Sequence, residues 1–416
     1  MPITRPTPLR PVIIGGDIGV YGIGRSFHEA FGCLCTAVAS APVDAVARSS
    51  FFEVEPIVEH ADDETLLATL MDLALRYDNS DLVLMANHDL HSSFIARNRK
   101  ALSKYYALPF PDLETVDRVT DKATFAAICD ELDIPTPGTV EVDMAEASNP
   151  DWQAPQIPFD FPVVAKAARG DEYDAIDFPG KRKIWFIESA EELAQLWTDL
   201  AGAGFTGVFL VQELIPGDNT QMRSITAYVD SSGSTTLMGS ARVLLEDHAP
   251  TMIGNPVAMI TEPFPQLWVQ ADRFFKATGY RGFANFDVKI DPRDGRALFF
   301  EVNPRIGRNN WYMTAAGANP MVPMVEDLVD HKRVTPREVS TQVLYTLVPD
   351  KLLLHYIRDE NLRSRVKSII AQGHRYNPLF YSAEKDLRRN VVVRAQTLNQ
   401  FRKFKRYYPE PTDQSF

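Results

Sequence analysis

The stretch "FANFDVKIDPRDGRALFFEVNPRIGR", residues 283–308, reads as two apolar strands around a turn, followed at once by a crowd of polar groups. Residues 284–290 and 297–303 alternate as strands do, and "DPRDGR" between them has Pro, Asp and Gly in turn-forming places. A register symmetric about Asp294 sets Asp287 opposite Glu301, and period-two alternation adds Asn303 to the same face. Like charges facing each other across a sheet are destabilising, so the pair asks for a cation. Mg2+ takes oxygen ligands, typically one or two carboxylates completed by water and phosphate, and suits such a cluster. The competing reading leaves Asp287 and Glu301 in solvent, or paired with Lys289 and Arg305. Arg305, Arg308, Asn309 and Asn310 follow where the hydrophobic run stops.

A metal that works with phosphate needs cations nearby. Lys166 sits inside the apolar run "PVVAK", where an unpaired ammonium is expensive, and a flexible loop at Arg169-Gly170-Asp171 follows it. A lysine at a strand end that reaches back to water is the plainer alternative. In "TDKATFAAICDELDIPTP", Thr120 or Asp121 caps a helix that stops before Ile134-Pro135, and Lys122 stands in its first turn. There it is either a phosphate contact or an ordinary exposed lysine. "FLVQELIPGD" leaves a strand through a Pro-Gly turn, so backbone groups of Gln212, Glu213 and Ile215 are candidates for the edge of a flat heteroaromatic ring. Asp218 would accept from ribose hydroxyls or cap the turn.

The rest of the chain sets the frame. At 416 residues it is long enough for two or three domains, and its 45% hydrophobic and 24% charged content is that of a globular protein. No run of about 18 apolar residues occurs. "MPITRPTPLRPVIIGG" lacks a signal-peptide core, so a cytoplasmic location is expected. Cys33, Cys35 and Cys129 make neither a disulfide framework nor a metal-ligand pattern. Net charge is −12, but residues 331–416 hold 17 Lys and Arg against 8 Asp and Glu, leaving a strongly acidic body. General nucleic-acid binding is therefore not expected. The basic tail either packs as a solvated helical face on the acidic body or meets an anionic partner: a lipid surface or a large phosphorylated substrate.

"PVIIGGDIGVYGIGRSFHEAFG" opens with a strand, turns at Gly15-Gly16 and enters a helix around Ile23–Phe31. Helix 61–77 and strand 81–91 repeat the rhythm, which indicates a parallel sheet with ligand groups at the carboxyl ends of its strands. The glycines do not match the dinucleotide fingerprint in frame, which leaves a Rossmann oxidoreductase a weak alternative. His88 and His91, at the end of that strand, read equally as ligand contacts or loop polar groups. A linker, "PFPDLETVDRV" (109–119), ends this domain. Strands at 162–167, 181–187 and 207–217, with a helix from Ser189 to about Leu200, begin an α+β region in which antiparallel hairpins dominate. The expected layout is 1–118, 119–330 with an internal boundary near 205, and a basic extension at 331–416. No Ser–His–Asp or Cys–His arrangement is apparent.

Together, Lys122 in "TDKATFAAICDELDIPTP", Lys166 in "FPVVAKAARG", "VQELIPGD", "FANFDVKID" and "FFEVNPRIGR" resemble, in order and spacing, the ATP-grasp carboxylate–amine ligases. The likeness covers roughly residues 1–325. It implies an α/β pre-ATP-grasp domain with a parallel sheet, an α+β ATP-grasp fold, and here a mostly helical basic C-terminal extension. It further implies that Lys122 and Lys166 hold ATP phosphates, that Gln212, Glu213 and Ile215 meet adenine, and that Asp218 binds ribose. Asp287, Glu301 and Asn303 would hold one or two Mg2+ ions, with Mn2+ an alternative. Arg305 or Arg308 would stabilise the transferring phosphoryl group or hold the substrate carboxylate. "ARGDEYDAIDFPGK" looks like the loop that closes over the triphosphate. Two departures stand out: Asp218 and Asp287 replace the longer Glu common in the family.

The N-terminal run, "EVNPRIGRNN" and the basic tail look like the D-aspartate ligase branch. That resemblance implies a small amino-acid substrate, activated through its carboxylate, and a large anionic amine-bearing precursor of peptidoglycan, nucleotide-linked or lipid-linked. A bicarbonate-activating enzyme with the same ATP site, and a non-catalytic nucleotide-binding protein, are the alternatives.

Overall fold

β-branched and other apolar residues form the first five strands, each followed by a helix start or a turn. They are β1 (Leu9–Ile14), β2 (Cys35–Ala39), β3 (Phe52–Pro56), β4 (Asp81–Ala86) and β5 (Tyr106–Ala107). All pair in parallel in the order β3-β2-β1-β4-β5. The computed structural model describes residues 2–413 apart from Arg169, Gly170, Asp171, Asp174, Lys183, Thr251 and Ser340. The Arg169-Gly170-Asp171 part of the expected closing loop thus lies outside the described residues.

Three N-terminal expectations need correction. The first helix runs Ile18–Phe31, five residues longer than its periodicity suggests, because its glycines lie inside it. They permit close packing: a Cβ at Gly24 would lie 2.1 Å from Phe52, and one at Gly19 would lie 2.2 Å from Asn87. Strand β4 stops at Ala86, and His88 and His91 belong to the start of the helix Asp89–Arg97. The linker is half helical, with Asp112 capping Leu113–Thr120 through the Thr115 N–H.

The helix Lys122–Glu131 is capped by Asp121 as expected. Next come β6 (Thr139–Asp143), β7 (Val163–Ala167), β8 (Trp185–Ile187) and β9 (Val208–Glu213), an antiparallel sheet in the order β6-β9-β7-β8. The helix Ala190–Gly202 covers it, capped by Ser189. Because β9 is an inner strand of this sheet, the change to the next sheet falls between Glu213 and Met222, later than residue 205. Among the described residues of the expected 181–187 strand, only Trp185–Ile187 are extended.

The third sheet contains β10 (Met222–Val229), β11 (Thr235–Glu246), β12 (Pro256–Thr261), β13 (Gly282–Ile290) and β14 (Ala297–Asn303). The tail adds β15 (Arg337–Glu338), β16 (Leu344–Thr346) and β17 (Arg375–Tyr376). The order is β14-β13-β10-β11-β12-β16-β17, with β15 on β11. The C-terminal region is therefore built into this sheet as well as helical, with helices at Asp350–Tyr356, Glu360–Ala371 and Leu387–Tyr407. One continuous core holds Leu9 and Tyr21 near the start, Met259 and Trp311 in the middle, and Val393 and Phe404 near the end.

Candidate active site

Strands β10, β13 and β14 turn one face toward a cavity of about 650 Å³. Ser224 stands opposite Asp287 and Thr226 opposite Asn285; across the hairpin, Asp287 meets Glu301 and Asn285 meets Asn303. A one-residue bulge produces that register. Next to the turn the partners are Ile290 with Ala297 and Val288 with Phe299; the register shifts after Val288, which brings Glu301 opposite Asp287. The symmetric register therefore gives the right pair at the site and is off by one beside the turn.

The hydroxyls of Ser224 and Thr226 donate to Asn285 Oδ1 at 3.2 and 3.0 Å. Asn303 donates through Nδ2 to Asp287 Oδ2 at 3.3 Å and accepts at Oδ1 from Arg305 at 3.0 Å. Removal from bulk water, and then the Glu301 charge opposite, push the Asp287 carboxyl up to about 7; Arg305 opposes this only in part. Glu301 is exposed to the cavity, and Lys122 Nζ reaches its Oε2 at 3.7 Å.

Lys122 connects this face to the antiparallel sheet. It borders a second cavity of about 650 Å³, against Glu141, Gly207 and Leu210. Lys166, on β7, is pushed down to about 7 by burial and then by Lys122 beside it, with Glu301 offsetting part of the shift. Its Nζ donates to Gln212 Oε1 at 3.4 Å, and Gln212 Nε2 donates to Thr139 at 3.1 Å.

The turn after β9 is more occupied than the sequence suggests. The Glu213 N–H donates to the Gly138 carbonyl at 2.8 Å, and the Glu213 carboxylate takes Arg293 at 2.5 Å. The Ile215 carbonyl accepts from Lys289 Nζ at 2.8 Å, because a buried ammonium must find an acceptor. Asp218 accepts at Oδ1 from the Thr220 N–H and hydroxyl, at 2.8 and 2.6 Å, and so caps the turn. Lys289, which the sequence offered as a possible partner for Asp287 or Glu301, is thus turned to the Ile215 carbonyl instead.

The opposite wall comes from the first domain. Gly15, Gly16, Asp17, Asn87, His88, Asp89 and His91 line it. Asp17 caps the helix Ile18–Phe31 by accepting at Oδ1 from the Gly19 and Val20 N–H groups, and Asn87 Nδ2 donates to the same oxygen at 3.0 Å. Its other oxygen takes Arg308 Nε at 2.7 Å. Burial would raise the Asp17 carboxyl, but Arg308 and the capping N–H groups outweigh it and hold the group low. Arg305 Nε pairs with Asp89 Oδ1 at 3.0 Å. His91 is pushed down to about 4 by burial and then by His88, so it is neutral near pH 7. Arg305, Arg308, Asp287, Glu301 and Asn303 thus share one cavity, with Lys122 bridging to Glu301 and Lys166 beyond it.

No family model matches the chain. It is 32% identical over 406 residues to the D-aspartate ligase of Enterococcus faecium (strain Aus0004), covering 96% of each chain. Among solved structures it resembles the L-amino acid ligase from Bacillus licheniformis, with a TM-score of 0.53 and 16% identity, over 78% of this chain and 75% of that one. Biotin carboxylase from Campylobacter jejuni, in a β,γ-ATP complex, gives a TM-score of 0.56 and 15% identity, over 80% and 74%. N5-carboxyaminoimidazole ribonucleotide synthetase from Thermus thermophilus gives 0.54 and 16%, over 81% and 82%. These structural likenesses establish the fold. At this identity over nearly its whole length, the chain belongs to the D-aspartate ligase family of ATP-dependent carbon–nitrogen ligases.

Proposed function

We propose that the protein phosphorylates a carboxylate of D-aspartate with ATP and joins the acyl group to an amine of a peptidoglycan-precursor peptide. The observation that carries this reading is a single cavity. It has acid and amide oxygens on one sheet face, with Arg305 and Arg308 fixed beside them by Asp89 and Asp17. The choice of D-aspartate rests on the relative from E. faecium, and the precursor on the resemblance to the same branch.

The donor set fits Mg2+. Among the described residues no group of three or more His, Cys, Asp and Glu is clustered for a metal, which weighs against an all-protein cage. Two carboxylates flanked by Asn303, with Asp287 pushed toward its protonated form by burial and the acid opposite, are instead what a metal shared with phosphate requires. Asp287 and Glu301 would hold it, and Asn303 would join them by turning its amide oxygen inward. Mn2+, another oxygen-seeking ion, suits the same donors. When bound, the ion neutralises phosphate oxygens and orients them.

Lys122 and Lys166 would take phosphate oxygens of ATP, and Lys166, near its titration point when unliganded, would be fully charged by that contact. Gln212, Glu213 and Ile215 would border adenine, leaving Asp218 Oδ2 for ribose. Arg305 and Arg308 would hold the substrate carboxylate in line. A carboxylate oxygen then forms a bond to the γ-phosphorus as the bond to ADP breaks. The amine nitrogen next attacks the acyl carbon; the C–N bond forms, phosphate leaves, and the nitrogen releases its proton to water. Positioning and charge neutralisation suffice for this chemistry, and no protein nucleophile is needed.

The test is ATP-dependent hydroxamate formation with D- or L-aspartate and hydroxylamine, with phosphate release followed in parallel. The expected outcome is D-aspartate hydroxamate, absent in Glu301→Ala. Phosphate release that depends on bicarbonate, or no D-aspartate-dependent turnover even with precursor peptide present, would overturn the reading.

A further inference from the structure

We propose that the helix Leu387–Tyr407 is a docking surface for an anionic lipid bilayer. The inward face of this helix is already satisfied. Arg389, Val393 and Phe404 are buried, Arg389 pairs with buried Glu384 at 3.3 Å, and Lys403 pairs with Asp247. At about 100° per residue, Leu387, Val391, Leu398 and Phe401 fall together within an arc of roughly 80° on the opposite side. They are large apolar side chains facing water, 79%, 65%, 63% and 39% exposed.

Cations surround this stripe. Arg394 and Lys405 lie within the same arc, and Arg388, Arg402 and Arg406 flank one edge. All five are exposed, and among the described residues none has a carboxylate partner. The segment 387–407 contains no Asp or Glu. An apolar stripe edged by unpaired Lys and Arg on a long helix is the pattern that lies in a headgroup layer, with apolar groups among acyl chains and cations against anionic headgroups. It does not span: no described helix is long and apolar enough to cross a membrane. A second copy of the chain fits less well, because a twofold pairing of this face would set five cations against five.

The surface is also connected to the cavity. Lys403 holds Asp247, and Tyr408 stacks on His248 at 3.6 Å between ring centroids. The segment that starts there supplies Met252, Ile253, Gly254, Asn255 and Pro256 to the cavity wall. The inward side of the helix thus abuts the chain that leads into a wall of the site, while the bilayer would meet its outer side. The docking claim stands independently of the ligase reading.

Co-sedimentation of the full chain with vesicles tests it, comparing phosphatidylglycerol mixed with phosphatidylcholine against phosphatidylcholine alone. Binding is expected only with the anionic lipid and should weaken at high salt. Arg402→Gln should lower partitioning about five-fold. Leu398→Ser combined with Phe401→Ser should lower it further, with unchanged thermal melting because both side chains are exposed. No binding to anionic vesicles overturns the proposal. So does binding that survives the double Ser variant, or a concentration-dependent dimer that the same variant abolishes. None of these readouts depends on turnover, so failure here and failure of the ligase assay are distinguishable.

Discussion

Two carboxylates on opposite walls of the cavity behave in opposite ways. Asp287, on a sheet, faces another acid and is pushed up to about 7. Asp17, at a helix start, receives two backbone N–H groups, an amide and a guanidinium, and is held low. Residue type does not explain the difference; what each backbone supplies does. A helix N-terminus offers unpaired N–H donors, whereas a strand has committed its own to the ladder. The sheet wall is consequently left with two facing acids that Lys122 and Arg305 offset only in part, which is the imbalance the proposed cation would relieve. The helix wall is already neutralised and works by fixing Arg308.

The strongest test of that contrast removes acids from the sheet wall. Glu301→Ala should reduce D-aspartate-dependent phosphate release by about 100- to 1,000-fold, while leaving melting nearly unchanged because the side chain is exposed. Asp287→Asn should abolish turnover to a similar degree but raise thermal stability at pH 8. The sign follows from linkage. A carboxyl whose folded pKa lies above its unfolded value makes the native state bind the extra proton, so stability is lost as pH rises from about 4 to about 7. The Asn variant lacks that loss, and melting curves at pH 5 and pH 8 would show the gap between the two proteins open with pH. A gap that does not change with pH would break the comparison.

On the helix wall the same kind of substitution should act through the fold. Asp17→Ala removes a cap and leaves Arg308 unpaired, a cost of about 1–3 kcal/mol in denaturant unfolding. Its pH dependence runs the other way: a depressed carboxyl stabilises above its unfolded pKa, and the contribution disappears as pH falls through the folded value. Gly19→Ala should cost about 1–3 kcal/mol as well, since its Cβ would lie 2.2 Å from Asn87 and 3.0 Å from Arg308. It should also raise KM for the amino acid, because both displaced groups hold the wall.

The two walls differ equally in how far the sequence discloses them. Period-two alternation carried Asp287, Glu301 and Asn303 to one face, and the same alternation contains Asn285, one step earlier on β13. Lys122 and Lys166 were legible because a cap and an apolar run set their positions. The parallel first sheet was legible from strand–helix rhythm. Asp17, Asn87 and Asp89 were not, since each acts through a partner more than 60 residues away or through a helix whose glycines disguise its start. Lys289 binding the Ile215 carbonyl is likewise a contact between separate elements. The joining of the tail to the large sheet through β16 and β17 rests on pairs too short to show a period.

Asp218 gives the finest test, because its two oxygens have separable roles. Its Oδ1 caps a turn as Asp17 caps a helix, while the ribose role would use Oδ2. Asn is as good a cap as Asp but carries no charge. Asp218→Asn should therefore keep stability within about 0.5 kcal/mol, while Asp218→Ala should lose about 1 kcal/mol. If Oδ2 accepts from ribose hydroxyls, both variants raise KM for ATP several-fold and neither changes KM for the amino acid. If KM for ATP stays unchanged in both, Asp218 is a turn cap alone. The nucleoside end of the proposed ATP site would then rest on Gln212, Glu213 and Ile215 alone.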